Sequence, residues 1–133
     1  MVRTALIGLL LFAVAAPAAV FDMTAQGQAT LASAQAATGA STNEANFGTS
    51  GRRGGVTFQT VNASGTATVE VQQTCLQSGG ASTGWISLAN TSTTLPAGGG
   101  SILSLSVPGC SYRANVTACT GCSVTVTATS IGK

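Results

Sequence analysis

The chain has 133 residues, 17 of them Gly, no His and a formal charge of +2, which allows one ordinary domain plus an appendage. Phosphate recognition needs several Lys and Arg on one surface; here only Arg52 and Arg53 are adjacent, and they read as a solvated loop pair, so nucleic acid is not an expected partner. The lack of His removes Ser-His-Asp and Cys-His catalysis, and Asp22, Glu44 and Glu70 lie in separate segments, which argues against a paired-carboxylate hydrolase.

The first segment, residues 1–21, is an apolar leader. Arg3 supplies one positive charge, Leu6 to Ala16 is apolar apart from Gly8, and Ala16-Pro17-Ala18 offers the small-x-small pattern that signal peptidase reads. Two other readings stand beside a secretory signal. Ala5 to Phe21 is 17 uncharged residues, at the lower edge of what spans a bilayer, so any membrane contact is expected through residues 5–21 only. The same segment also suits an arm buried in an assembly.

Residues 22–54 are rich in Ala, Gln, Thr, Ser, Gly and Asn. Leu31 is the single large apolar residue of Thr30 to Ala37, which leaves no stripe to dock a helix. The expectation is an extended or weakly helical arm over Asp22–Ala40. Ala45-Asn46-Phe47 is the earliest candidate strand, with Phe47 as an anchor, and Gly48 to Gly55 is a loop by composition.

Residues 55–133 alternate between apolar and Thr/Ser positions, broken by Gly, Ser and Asn turns. This pattern predicts an all-β fold, a small antiparallel, jelly-roll-like β-sandwich. Val56 and Phe58 share one face of the first strand, and Asn62-Ala63-Ser64-Gly65 is a turn. From Thr66 to Cys75 the apolar set is Ala67, Val69 and Val71. Gln73 departs from it, so the strand is expected to leave the core there. After a Gly-containing loop, Leu76 to Gly84, a strand over Trp85–Asn90 is expected to turn Ile86 and Leu88 inward. Leu95 to Gly100 reads as a flexible turn. Leu103, Leu105 and Val107 then share a face, and Pro108-Gly109 ends that strand.

The last two strands read as a hairpin. Tyr112, Ala114, Val116 and Ala118 form one apolar set, and Cys122, Val124, Val126 and Ala128 the other. A three-residue Cys119-Thr120-Gly121 loop keeps both sets on one side, with Gly121 supplying a positive φ.

Large apolar volume is scarce. Beyond Phe21 it comes from six Leu, three Ile, eight Val and two Phe, so disulfides, self-association or a partner surface must help. Four Cys behind a signal-like leader indicate an oxidising compartment. Of three possible pairings, Cys75–Cys110 with Cys119–Cys122 is expected: the first two lie at strand ends, and the second two are close enough in sequence to close a small ring across the hairpin tip. Cys119-Thr120-Gly121-Cys122 also has redox and half-zinc-site spacing. A redox motif opens a helix, however, and a zinc site needs further ligands that the chain does not group, so neither metal nor cofactor is expected.

Trp85, Tyr112 and Arg113 are the side chains suited to stacking on and hydrogen-bonding a sugar, although Tyr112 also fits the core face and one aromatic alone makes a poor platform. Asn62, Asn90 and Asn115 each open an N-x-Ser/Thr pattern, which arises easily in so Ser/Thr-rich a chain.

Gly65 to Gln72, Gly84 to Ala89, Leu105 to Gly109, Tyr112 to Ala118 and Ser123 to Thr127, taken together, resemble the small β-sandwich domains of tailed-bacteriophage virion proteins. The likeness covers about residues 30–130 and consists of strand-and-turn grammar: a Trp strand, a Pro-Gly corner and a Tyr/Arg-Asn-Val-Thr hairpin. It implies a non-enzymatic virion part (capsid decoration, head fibre or tail appendage) whose partners are other virion proteins and further copies of itself. The leader and the cysteines point to a second expectation, a secreted or surface-anchored bacterial binding module with carbohydrate as one candidate ligand.

Overall fold

The computed structural model describes residues 18–23, 27–47, 54–75, 84–107 and 110–131. Among them there is no helix. Eleven strands occur in chain order: β1 (Val20–Asp22), β2 (Gln28–Gln35), β3 (Gly39–Ala40), β4 (Glu44–Asn46), β5 (Gly54–Asn62), β6 (Thr66–Thr74), β7 (Ile86–Ser87), β8 (Thr93–Leu95), β9 (Gly99–Val107), β10 (Ser111–Thr120) and β11 (Val124–Ile131). One sheet has the order β1-β4-β10-β6-β7, with β3 also on β10 and β8 also on β6; the other is β2-β11-β5-β9. The two sheets pack face to face as the expected β-sandwich.

Alternation puts the core where the period-2 pattern placed it. Val56 and Phe58 of β5 and Val124, Val126 and Ala128 of β11 face Ala67, Val69 and Val71 of β6 and Tyr112, Ala114 and Val116 of β10; all are buried. Phe58 and Tyr112 meet across the interior with centroids 5.8 Å apart, and Phe47 stands edge-on to Tyr112 at 5.7 Å. Gln73, at the far end of β6, is only half-buried.

Three expectations need correction. The sandwich begins well before residue 55: Asp22–Ala40, read as an arm, supplies β2 and β3, while the early strand expected at Ala45-Asn46-Phe47 is present as β4. Ala29, Leu31 and Ala32 of β2 are buried, and Leu31 is only 1% exposed. The strand was hidden because two of its three inward side chains are Ala, and because bulges break its alternation. Its register against β11 shifts twice, and Ala34 has a φ of 48°.

The last two strands are not a hairpin. β10 and β11 lie in different sheets, and the chain between them turns a corner across the sandwich. Two apolar sets on the same side satisfy either arrangement; here they face each other through the core. A bulge between Val116 and Ala118 reverses the parity, leaving Ala118 exposed and half-burying Cys119. Gly121 does take the positive φ, at 60°.

The Trp85–Asn90 strand is reduced to the two residues of β7. Ile86 is 51% exposed rather than inward, while Leu88 packs half-buried against the core. The apolar leader falls outside the described residues up to position 17; its last two residues, Val20 and Phe21, run with Asp22 parallel to β4. Arg52, Arg53, most of the Leu76–Gly84 loop and Pro108-Gly109 are also outside the described residues.

The Asn62–Gly65 turn is likewise a crossing between sheets, and so is the Leu95–Gly99 connection from β8 to β9. Asn62, fully buried, ties these corners and the β10–β11 corner together. Its Nδ2 donates toward the carbonyls of Gly65, Leu95 and Pro96 at 3.1–3.3 Å, and its Oδ1 accepts from the Ser123 N–H at 3.1 Å. Its own carbonyl accepts from the Gly98 N–H at 2.8 Å. A buried side-chain amide must find such partners, and here their arrangement fixes one end of the sandwich.

Candidate binding face of the seven-stranded sheet

β6 sends Thr66, Thr68, Glu70, Gln72 and Thr74 away from the core, since their neighbours Ala67, Val69 and Val71 point inward. Register then sets what stands beside them. Gln72 lies between Arg113 of β10 and Ser87 of β7, and Glu70 lies opposite Asn115. Cross-strand neighbours on one face are in side-chain reach.

These residues form one hydrogen-bonded cluster. Glu70 Oε1 accepts from Ser87 Oγ at 2.7 Å, from Asn115 Nδ2 at 2.8 Å and from Gln72 Nε2 at 3.3 Å. Gln72 Oε1 accepts from Arg113 Nε at 2.8 Å. The Arg113 guanidinium carbon lies 4.2 Å from the centroid of the Trp85 ring, a cation–π stack. Farther along the face the Thr68 and Thr94 hydroxyls meet at 3.0 Å, and Thr117 Oγ1 donates to the Thr68 carbonyl.

The donors from Asn115 and Ser87 hold the Glu70 carboxyl below its ordinary pKa, against a smaller opposing effect of burial, and Gln72 adds to the lowering. Glu70 is therefore a carboxylate at neutral pH whose role is to accept hydrogen bonds. Among the described residues no three His, Cys, Asp or Glu converge as metal ligands do.

Of the residues singled out in the sequence, Trp85 and Arg113 come together on this face. Tyr112 does not join them: it is the neighbour of Arg113 along β10, so it points into the core, where it is fully buried. Sequence reasoning missed Glu70, Gln72, Ser87 and Asn115 as their companions. The polar alternation of β6 was visible, but the residues beside it are fixed by the 72–113 and 72–87 register, to which no local pattern points.

Both expected disulfides are formed, and among the described residues no cysteine is free. Cys75–Cys110 continues the β6–β10 ladder one rung beyond the Thr74–Ser111 pair, with Cα atoms 4.5 Å apart. Cys119–Cys122 closes the β10–β11 corner. Of the three N-x-Ser/Thr asparagines, Asn62 is buried and Asn115 is engaged with Glu70, while Asn90 is exposed.

No protein-family model, curated protein or solved structure matches the chain.

Proposed function

We propose that this protein is a non-enzymatic structural subunit of a bacteriophage virion, of the decoration or appendage type, which works by holding neighbouring proteins. The observation that carries the reading is the chemistry of the two outer faces. The four-stranded sheet presents Thr57, Gln59, Thr125, Thr127 and Thr129, with Thr57 hydrogen-bonded to Ser104 at 3.1 Å. The seven-stranded sheet presents the Glu70 cluster, whose carboxylate is engaged three times and poorly suited to general acid–base work. Such surfaces pack and bind. Two closed disulfides suit a particle that persists outside the reducing cytoplasm.

Protein mass spectrometry on virions purified from the producing lysate tests this reading. The chain is expected in the particles at a fixed stoichiometry, and to rebind particles from which it has been stripped. A chain absent from particles and found free in the medium overturns it.

One observation favours a second reading, that of a secreted or surface-anchored binding module. Ala19 and the residues after it are already held to the segment leading into β4: Ala19 N–H donates to Asn43 Oδ1, and its carbonyl accepts from the Glu44 N–H. Cleavage after Ala18 would leave every described strand intact, with the Trp85–Arg113 stack as the candidate sugar contact. A mature N-terminus at Ala19, together with glycan binding that Trp85→Ala abolishes, would select this reading.

A further inference from the structure

Sheet edges expose unpaired N–H and C=O groups, and proteins blunt them with short strands, charges, Pro or bulges. The flanking strands of the seven-stranded sheet, β1, β7 and β8, are two or three residues long. In the other sheet the β2 edge is broken by its two register shifts and by the positive φ of Ala34. The side chain of Asn43 also caps the Thr30 carbonyl at 3.1 Å. The opposite edge, β9, has none of these devices. All nine of its residues, Gly99 to Val107, run in unbroken register with β5, without a charge or a Pro. Among the described residues it is paired on one side only. Ile102, on its outer face, is 72% exposed, more than any other large hydrophobic residue described.

Beside this edge the two sheets part. A cleft of about 210 Å³ opens between β9 and Asn90–Thr93 and reaches into the core, with Phe58, Val69, Val71, Thr91, Ser101 and Leu103 among its walls. An apolar cavity of about 150 Å³ takes up benzene, so this one has room for an aliphatic side chain.

We infer that β9 is a strand-addition edge and that its occupant is β9 of a second copy, antiparallel about a two-fold axis at Leu103. Three features select a copy of the same strand. An uncharged strand meets itself without repulsion. Pairing centred on Leu103 sets Gly99 against Val107 and so uses all nine residues, with inner and outer faces matched, because residues opposite each other in an antiparallel pair share a face. On the outer face it places Ile102 opposite the second copy's Ser104, with the two Ile102 side chains diagonal and within reach. On the inner face it brings the second copy's Leu103 and Leu105 beside Leu103 and Ser101, at the mouth of the cleft, and the two-fold axis repeats the exchange. Two four-stranded sheets then become one eight-stranded sheet through a closed, isologous contact. This contact does not depend on the virion reading.

Sedimentation equilibrium of the full oxidised chain tests it, alone and with two double variants at exposed positions: Ile102→Lys with Ser104→Lys, and Ile102→Glu with Ser104→Glu. The unaltered chain is expected to sediment as a dimer. Each double variant sets like charges directly opposite each other and is expected to weaken the dimer at least about tenfold, with an unchanged β spectrum by circular dichroism. Mixing the two variants sets Lys against Glu and is expected to restore a heterodimer. An unaltered chain that stays monomeric overturns the inference. So do variants that dimerise as before, or a mixture that does not associate.

Discussion

Tyr112→Phe removes one oxygen from the centre of the sandwich. The Tyr112 ring is fully buried, edge-on to Phe47 and tilted on Phe58, and Phe preserves both ring pairs. Its hydroxyl has no hydrogen-bond partner among the described residues. An unpaired buried hydroxyl costs about 1–3 kcal/mol, and the dispersion attraction between that oxygen and its surroundings offsets less than about 1 kcal/mol of the cost. The variant is therefore expected to be about 1–2 kcal/mol more stable, a rise in Tm of about 4–8 °C for a domain of this size. Alkali supplies an independent test. Burial pushes the phenol up to about 12 from its ordinary value of about 10. The folded state thus holds this proton more tightly than the unfolded chain. The corresponding stability is intact below about pH 10 and drains away between about pH 10 and 12, amounting to about 2–3 kcal/mol by linkage. Tyr112→Phe is expected to lack that loss. The chain has one Tyr, so phenolate absorbance reads this group directly. A variant that melts lower than the parent, or a native phenol that titrates near 10, refutes the reasoning.

Asn62→Ala leaves the Ser123 N–H and the Leu95 and Pro96 carbonyls without their side-chain partner, and is expected to cost about 3 kcal/mol or more in urea unfolding. Gly65→Ala and Gly121→Ala form a matched pair at positive φ, 57° and 60°. At Gly121 a Cβ meets open space and the cost is about 1–2 kcal/mol, whereas at Gly65 it collides with the backbone of Thr120 and Gly121, raising the cost to about 3–4 kcal/mol by thermal melting. Replacing both cysteines of each disulfide by Ser separates the two bridges by loop size. A sequence separation of 35 for Cys75–Cys110 predicts a loss of about 4 kcal/mol, and a separation of 3 for Cys119–Cys122 about 2 kcal/mol, with the reverse order in denaturant midpoints counting against the loop-entropy account.

The strands that were legible share one property: each alternates large inward side chains with polar ones. Val56 and Phe58 in β5, Val69 and Val71 in β6, and Leu103 and Leu105 in β9 are examples. β2 escaped because Ala carries little hydrophobic signal and its bulges disrupt the period. The hairpin expectation failed for a different reason. Local pattern says which side chains share a side; it does not say whether the next strand lies beside its predecessor or across the core from it. That choice is made by Asn62, 61 residues before the Ser123 N–H it accepts from, and by a cysteine pair that closes the corner. The candidate face divides in the same way. Trp85 and Arg113 stood out as residue types, but their meeting needs β7 and β10 to flank β6 in one register.

The scarcity of large side chains also explains the style of this interior. Ala29, Ala32, Ala45, Ala67, Ala114 and Ala128 are all buried. Each contributes less burial free energy than a Val or Leu would, since that energy scales with apolar area. Small residues leave volume for Tyr112 and Phe58, which bridge the two layers, and leave stability to be found elsewhere. It is found in covalent and polar ties at the ends of the sandwich: Cys75–Cys110 beyond one rung of the ladder, Cys119–Cys122 at a corner, and the Asn62 amide across three crossings. Those ties act on strand ends and corners. They leave the flank along β9 and its cleft without such a tie, so that flank is where a second chain would contribute the apolar burial that this one lacks.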